Sequence, residues 1–153
     1  MTDHIDRSIL RLLQKDAKMT TKELASQLSL TATPVFERVK RLEKDGYIKG
    51  YRAVLDRHKL NLPLVVFCNV ELEKHREEFL ARFEQDVQSL PEVVECYHIA
   101  GHYDYLLKVV VKDMEVYQHF VTRKLAALEN IGKVQSSFVM TEVKDSGLLP
   151  VAT

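Results

Sequence analysis

The sequence lacks any apolar run near the length of a membrane span, any N-terminal secretory leader and any low-complexity stretch. These absences speak against a spanning or exported protein, and the expected location is the cytoplasm. Cysteine is scarce: Cys68 and Cys96 lie far apart, each among apolar neighbours. Two buried, reduced thiols are expected rather than a disulfide or a metal site. No CxxC, HExxH, GxSxG or glycine-rich phosphate loop is present, so no metal and no cofactor is expected. Net charge is also lacking, at zero for the 153 residues. That zero conceals a division. Residues 1–60 carry 13 Lys/Arg against 8 Asp/Glu, a net of +5, and residues 61–153 carry 9 against 14, a net of −5. A basic front half suits phosphate neutralisation, and an acidic back half should face away from nucleic acid.

What the chain does have is a hydrophobic content of 46% and a charged content of 29%, as in a soluble globular protein. Its most informative stretch is Thr20 to Tyr51. Leu24, Ala25 and Leu28 give a short amphipathic helix that starts at Thr21, and Ser29-Leu30 is the turn after it, with Leu30 buried. In the next helix Val35, Val39 and Leu42 recur at i, i+4 and i+7 and form one buried stripe. The opposite face carries Thr33, Glu37, Lys40 and Lys44, with Phe36 and Arg41 on its flanks. Arg38 sits beside the apolar stripe and is expected to snorkel or to pair with a carboxylate. Thr31 is expected to cap the helix through its hydroxyl, and Pro34 falls in the first turn, where a missing N–H costs little. Gly46 to Tyr51 suits a wing or connecting strand. With an earlier helix from Asp3 to Lys15, whose apolar face is Ile5, Ile9, Leu12 and Leu13, the pattern is a winged helix-turn-helix. Such a module puts one helix into the major groove of double-stranded DNA. The plainer alternative is a basic surface helix in a bundle.

Asp56 to Asn61 reads as a polar linker closed by Pro63. Beyond it the pattern alternates: a strand at Leu64–Leu72, a helix at Arg76–Leu90, strands at Val93–Ile99 and Tyr105–Val111, a helix capped by Asp113 and running to about Leu128, and a last strand at Lys133–Val143. The inward residues of the last helix are expected to be Val116, Phe120, Val121, Leu125 and Leu128. The fold class is therefore α+β, with an N-terminal winged helix-turn-helix and a C-terminal βαββαβ, ferredoxin-like domain. The expected boundaries are 1–55 for the DNA-binding domain, 56–63 for the linker and 64–153 for the ligand-binding and oligomerisation domain. The strands are apolar on both phases, as in Leu64-Val65-Val66-Phe67, which predicts burial of both sheet faces and association with a second subunit.

In order and spacing, Ile5–Leu10, Glu23-Leu24-Ala25, Arg38–Ile48, Gly50–Asp56 and Gly101–Leu107 together resemble the Lrp/AsnC family of feast/famine regulators. The resemblance covers essentially the whole chain. It implies promoter binding, homodimers formed through the C-terminal sheets, and assembly toward octamers. It also implies an amino-acid effector held around a Gly-x-x-Asp turn and the last strand. Carried onto this sequence, that pocket comprises Gly101, His102, Tyr103, Asp104, Gln135, Ser136 and Ser137. Many relatives have an acidic residue where this chain has His102, whose imidazole changes the local charge. The residues expected at DNA are Thr31, Thr33, Phe36, Glu37, Lys40, Arg41 and Lys44, with Arg52 near phosphates. Taken alone, Gly101–Asp104 also reads as a plain hairpin turn.

Two further functions compete with an effector-responsive regulator. One is an effector-independent DNA-bending or organising protein, which shares every DNA feature. The other is a small enzyme using His98, His102 and Asp104 as an acid–base set; no nucleophile or metal cluster accompanies them, and no catalytic residue is assigned.

Overall fold

Asp3 starts the first helix through a capping box: its carboxylate accepts the Asp6 N–H at 2.8 Å, and the Asp6 carboxylate accepts the Asp3 N–H at 3.2 Å. Helix α1 then spans His4–Lys15. Helix α2, Thr21–Gln27, has its own box, in which Thr20 and Glu23 bond each other's backbone N–H. It ends in a Schellman motif: Leu30 N–H reaches the Ala25 carbonyl at 2.9 Å and Ser29 N–H the Ser26 carbonyl at 3.3 Å. Ser29 supplies the left-handed residue, with φ +55°. Helix α3 spans Ala32–Lys44 and stops at Gly46, whose φ of +77° glycine adopts without a steric penalty. Ile9, Leu13, Leu24, Ala25, Val35 and Leu42 close a core among the three helices, with Val39, Leu30 and Ile48 half-buried against it.

The structure, a computed structural model, describes residues 2–152. It forms two compact units. One comprises residues 2–54 together with 144–152, and the other Leu55–Val143. Residues 144–152 thus group with the helices. A reciprocal pair of bonds accompanies this grouping: Gln14 Nε2 donates to the Leu149 carbonyl at 3.3 Å, and Leu149 N–H donates to Gln14 Oε1 at 2.7 Å.

The second unit is built from strand β1 (Leu64–Leu72), helix α4 (Glu77–Val87), strands β2 (Val93–His98) and β3 (Tyr105–Val111), helix α5 (Met114–His119) and strand β4 (Ile131–Phe138). Its antiparallel sheet has the order β2-β3-β1-β4. Val66, Cys68 and Val70 of β1 pair with Val109, Leu107 and Tyr105 of β3 on the helix-covered face, and Leu72 pairs with Ile131 of β4. Phe83, Val87, Tyr117, Phe120 and Leu125 pack onto them from the helices, and the Phe83 and Tyr105 rings meet at 4.5 Å. This is the expected βαββαβ order on one sheet.

Several expectations need correction. Thr31 stands at the N-cap of α3 with extended backbone, but its side chain makes no capping bond. Residues 45–63, all of them described, form no strand, so the expected wing hairpin is not built. The reason is local: Gly46 ends α3 as a cap, and Ile48 N–H returns to the Leu42 carbonyl at 3.1 Å, tucking Ile48 into the helical core. After α5 the chain continues as a π-helical turn over Phe120–Leu125, and the extra residue per turn shifts the phase. Upstream of that turn, Tyr117 is buried with its hydroxyl bonded to Ser136, and Val116 is exposed. The last strand begins at Ile131 and ends at Phe138, opposite Val66, with one further bond from the Val139 N–H to the Val65 carbonyl at 3.0 Å. Cys68 is buried, but Cys96 on edge strand β2 is exposed. The second sheet face is half-buried rather than buried at Phe67, Asn69, Leu106, Lys108 and Val110; Val65 alone of that set's neighbours on β1 is enclosed.

Candidate functional site

Helix α3 has two unlike sides. Val35 and Leu42 are sealed in the core, while Thr33, Phe36, Glu37, Lys40 and Lys44 face outward, Phe36 with 48% of its surface exposed. Thr31 and Arg52 are exposed as well. Lys40 Nζ pairs with Glu43 at 3.1 Å and lies 5.8 Å from the Phe36 ring centre. Tyr51 donates its hydroxyl to the other Glu43 oxygen at 3.0 Å. Lys40 first and Tyr51 second hold the Glu43 carboxyl below its ordinary value. An exposed pair such as Lys40–Glu43 is weak, so Lys40 is free to exchange partners.

Arg41 behaves differently from the expectation. Its Nη2 bonds both oxygens of Asp6 at 2.8 Å, and Arg38 Nη1 bonds Asp6 at 2.7 Å and Asp3 at 2.6 Å. The Arg38 pairing was foreseen; the shared use of Asp6 was not. The only sequence signal was the Asp3/Asp6 spacing of a capping box. Nothing in it pointed to a helix more than thirty residues away.

The Gly101–Asp104 turn joins β2 to β3. Gly101 has φ +150°, and a Cβ there would meet no atom within 4 Å. Asp104 is fixed on several sides. Its N–H donates to Val70 at 2.9 Å, its carbonyl accepts from Ile99 at 2.8 Å, and its Oδ2 accepts the Leu72 N–H at 2.7 Å. The same oxygen shares a 3.0 Å hydrogen bond with His75 Nε2, a residue the sequence reading overlooked. Asp104 therefore clamps the end of β1 rather than its own turn. The Tyr103 hydroxyl bonds Gln135 Oε1, and Lys133 Nζ lies 5.8 Å from the Tyr103 ring centre. His102 is exposed.

Of the three last-strand residues, Gln135 reaches this turn through Tyr103, and Ser136 and Ser137 do not. Gln135 pairs with Asn69 and Ser137 with Phe67, so both lie on the open face, Ser137 two residues further from the turn. Ser136 pairs with Cys68 on the helix-covered face, where it bonds the Tyr117 hydroxyl. That hydroxyl also contacts Cys68 Sγ at 2.9 Å. Burial raises both the Cys68 thiol and the Tyr117 phenol, so neither ionises near neutral pH.

The acid–base alternative is not assembled. His98 stacks on Tyr105 at 4.7 Å, Tyr105 donates to Glu84 at 2.9 Å, and Asp104 is bonded to Leu72 and His75. Glu84, Cys96, His98 and Tyr105 line an open cavity of about 610 Å³ between α4 and β2. There, desolvation first and Glu84 second push the Cys96 thiol up to about 11, which removes it as a nucleophile. Among the described residues, no group of three or more His, Cys, Asp and Glu side chains could hold a metal ion. No helix among them is long and apolar enough to cross a membrane.

A three-helix unit with an exposed polar helix, joined to a ferredoxin-like sheet unit, defines the class: a helix-turn-helix DNA-binding transcriptional regulator with a ligand-binding domain. Comparison with known proteins agrees. A winged helix-turn-helix DNA-binding model matches residues 2–49, and an Lrp/AsnC ligand binding domain model matches residues 65–149. The chain belongs to the Lrp/AsnC family and is a DNA-binding transcriptional regulator, not an enzyme. It is 40% identical over 141 residues to the Bkd operon transcriptional regulator of Pseudomonas aeruginosa, covering 92% of each chain. It is 40% identical over 151 residues to the leucine-responsive regulatory protein of Escherichia coli, covering 99% of this chain and 92% of that one. Among solved structures, a transcriptional regulator of Neisseria meningitidis in complex with L-methionine superposes with a TM-score of 0.94 at 34% identity, covering 98% of this chain and 97% of that one. An AsnC family regulator of Agrobacterium tumefaciens gives 0.93 at 40% identity, covering 97% of each.

Proposed function

We propose that this chain is a cytoplasmic, amino-acid-responsive regulator whose α3 enters the major groove, with residues 1–55 binding DNA, 56–63 linking and the remainder binding effector and assembling subunits. The observation that carries the DNA reading is the outward face of α3. Thr33, Phe36 and Glu37 offer contacts to base edges, and Lys40 and Lys44 offer contacts to phosphates. Arg52 is a further phosphate contact, and Thr31, with its hydroxyl unused in capping, is free to donate to a phosphate oxygen. Arg41 leaves this set, because its guanidinium is bonded to Asp6.

The effector reading rests on the turn and on the L-methionine complex of the Neisseria relative. Gly101 leaves its backbone open to an approaching ligand, and Tyr103, Gln135 and Lys133 border one side of the turn. Asp104 keeps one carboxylate oxygen for an α-ammonium while the other holds Leu72 and His75. His102 is exposed beside the turn, and Ser136 and Ser137, which lie away from it, leave the effector set. The half-buried apolar residues Phe67, Leu106 and Val110 on the open sheet face favour a homodimer, with octamers as a higher assembly.

Two measurements test this. In gel shifts across a salt series, Lys40→Ala/Lys44→Ala should flatten the slope of log affinity against log salt by about 0.9 per lost phosphate contact; an unchanged slope removes α3 from the groove. In calorimetric titration with the common amino acids, wild type should bind at least one, and Asp104→Asn should lose it while keeping basal DNA binding. If no amino acid binds wild type, the effector-independent DNA-organising reading replaces this one.

A further inference from the structure

The Asp6 carboxylate is 1% exposed and receives hydrogen bonds from three donors. Oδ1 accepts from Arg38 at 2.7 Å and Arg41 at 2.8 Å; Oδ2 accepts from Arg41 at 2.8 Å and from the Asp3 N–H at 3.2 Å. Asp3 Oδ2 takes Arg38 at 2.6 Å, so two carboxylates meet two guanidiniums and the cluster is locally neutral. Arg38 and Arg41 are one helical turn apart on α3, and both reach the first turn of α1. A buried ionic cluster of this kind is a poor source of net stability compared with apolar packing. What it supplies is direction. Arg38 reaches both carboxylates through Nη1 and Arg41 reaches both Asp6 oxygens through Nη2, and these short charge-assisted bonds from two successive turns fix how α3 is rotated about its own axis against α1.

We infer that Asp6 is a positioning residue for DNA recognition: through Arg38 and Arg41 it sets the rotation of α3, and it withholds both arginines from phosphate. This rests on the reading of α3 as the helix in the groove. The charge that α3 gives to DNA then comes from Lys40 and Lys44, while the arginines decide which way those lysines and Thr33, Phe36 and Glu37 point. The same rotation aims every base-reading side chain at once. Loss of the cluster must therefore blur discrimination across the whole half-site and not at one base pair.

The experiment uses the full-length protein and two duplexes, one selected by this chain from a random pool and the same duplex scrambled. Salt slopes, the ratio of specific to scrambled affinity, and a base-by-base substitution profile are read for wild type, Arg41→Ala, Arg41→Lys, Asp6→Asn and Lys40→Ala/Lys44→Ala. Arg41→Ala should keep the wild-type salt slope, lower the specificity ratio by about tenfold, the scale of one mismatched base pair, and weaken discrimination at every position. Arg41→Lys, which retains a cation for Asp6, should recover part of the ratio. Asp6→Asn should lower the ratio and steepen the slope by up to about 0.9 for each released arginine that finds a phosphate. Arg41 is half exposed, so its variants report even if Asp6→Asn fails to fold. If Arg41→Ala flattens the slope, Arg41 is a phosphate contact and the inference is overturned; if it relaxes only one base pair, Arg41 reads that base and the inference is equally overturned. A flat response of the lysine variant removes the α3 reading itself, which the arginine outcomes with a responsive lysine variant leave standing.

Discussion

The two units of the chain solve the problem of a small core in different ways. The helical unit encloses six buried apolar residues and supplements them with capping boxes and the Asp3–Asp6–Arg38–Arg41 cluster. The sheet unit gathers thirteen in its main core, including the paired rings of Phe83 and Tyr105, and places its polar contacts at the rim and beneath β4. A core of six leaves few apolar contacts to fix the angle of a helix, and directional charge contacts do it instead. A core of thirteen fixes its own geometry, so its turn at Gly101–Asp104 is available for other work.

The comparison breaks most readily in the cores. Leu107→Ala, at a fully enclosed position of β3, should cost about 2–5 kcal/mol. Leu42→Ala on α3 should cost a sum in the same range, but from a smaller total. Calorimetry should show each substitution lowering the melting of its own unit. A single transition shifted equally by both would mean that the units do not unfold separately.

Acid and alkali should then distinguish the units. Asp3 is held below its ordinary value by the Asp6 N–H and then by Arg38, and Glu23 by the Thr20 N–H and hydroxyl. A carboxylate lowered in the fold contributes stability above its unfolded value near about 4, and that stability is lost as pH falls through the folded value. In the sheet unit, desolvation raises Cys68, Cys96, Tyr105 and Tyr117, with Tyr51 as the counterpart among the helices. An acid raised in the fold loses its proton first in the unfolded chain. Its contribution is full below the unfolded values, about 8.5 for a thiol and about 10 for a phenol, and declines above them. Amide signals of α1–α3 should fade first on acidification, and those of the sheet first above about pH 9. The reverse order in either direction contradicts this account.

The smallest effect sharpens the picture inside one unit. Thr20→Ala removes a hydroxyl that caps α2 and should cost about 1 kcal/mol. Thr31→Ala removes one that caps nothing and should stay within about 0.5 kcal/mol. Equal losses in urea titrations would mean that Thr31 does cap α3.

Much of this was legible in the sequence, and the rest was not for identifiable reasons. The Val35–Val39–Leu42 stripe and the βαββαβ order follow from periodicity, which local side-chain direction enforces. Arg38 beside that stripe called for a carboxylate and has two. The bonding of Arg41 to Asp6 was not legible, because a helical wheel gives an angle but not the distant carboxylate that will meet it. Val116 and Tyr117 are adjacent on α5, and apolar character alone favours Val116, whereas Tyr117 is the one enclosed, where its hydroxyl finds Ser136. The Gln135–Ser136–Ser137 set is a different case. Strand alternation alone puts Ser136 on the face opposite its neighbours, and that was available in the sequence without any structure.

The grouping of residues 144–152 with residues 2–54 makes the sheet unit an insertion within the helical one. The two are joined by two covalent crossings, near residues 54–55 and 143–144. A single protease nick in the 56–63 segment would sever the covalent link between residues 2–54 and the rest, leaving only the noncovalent hold of residues 144–152 on the helices, as in the Gln14–Leu149 pair. Cutting the chain at residue 62 to isolate a C-terminal domain would carry along a tail whose partner has been discarded. The natural excision is the continuous stretch 55–143, and the helical unit is kept whole by the complementary deletion that links residue 54 to residue 144.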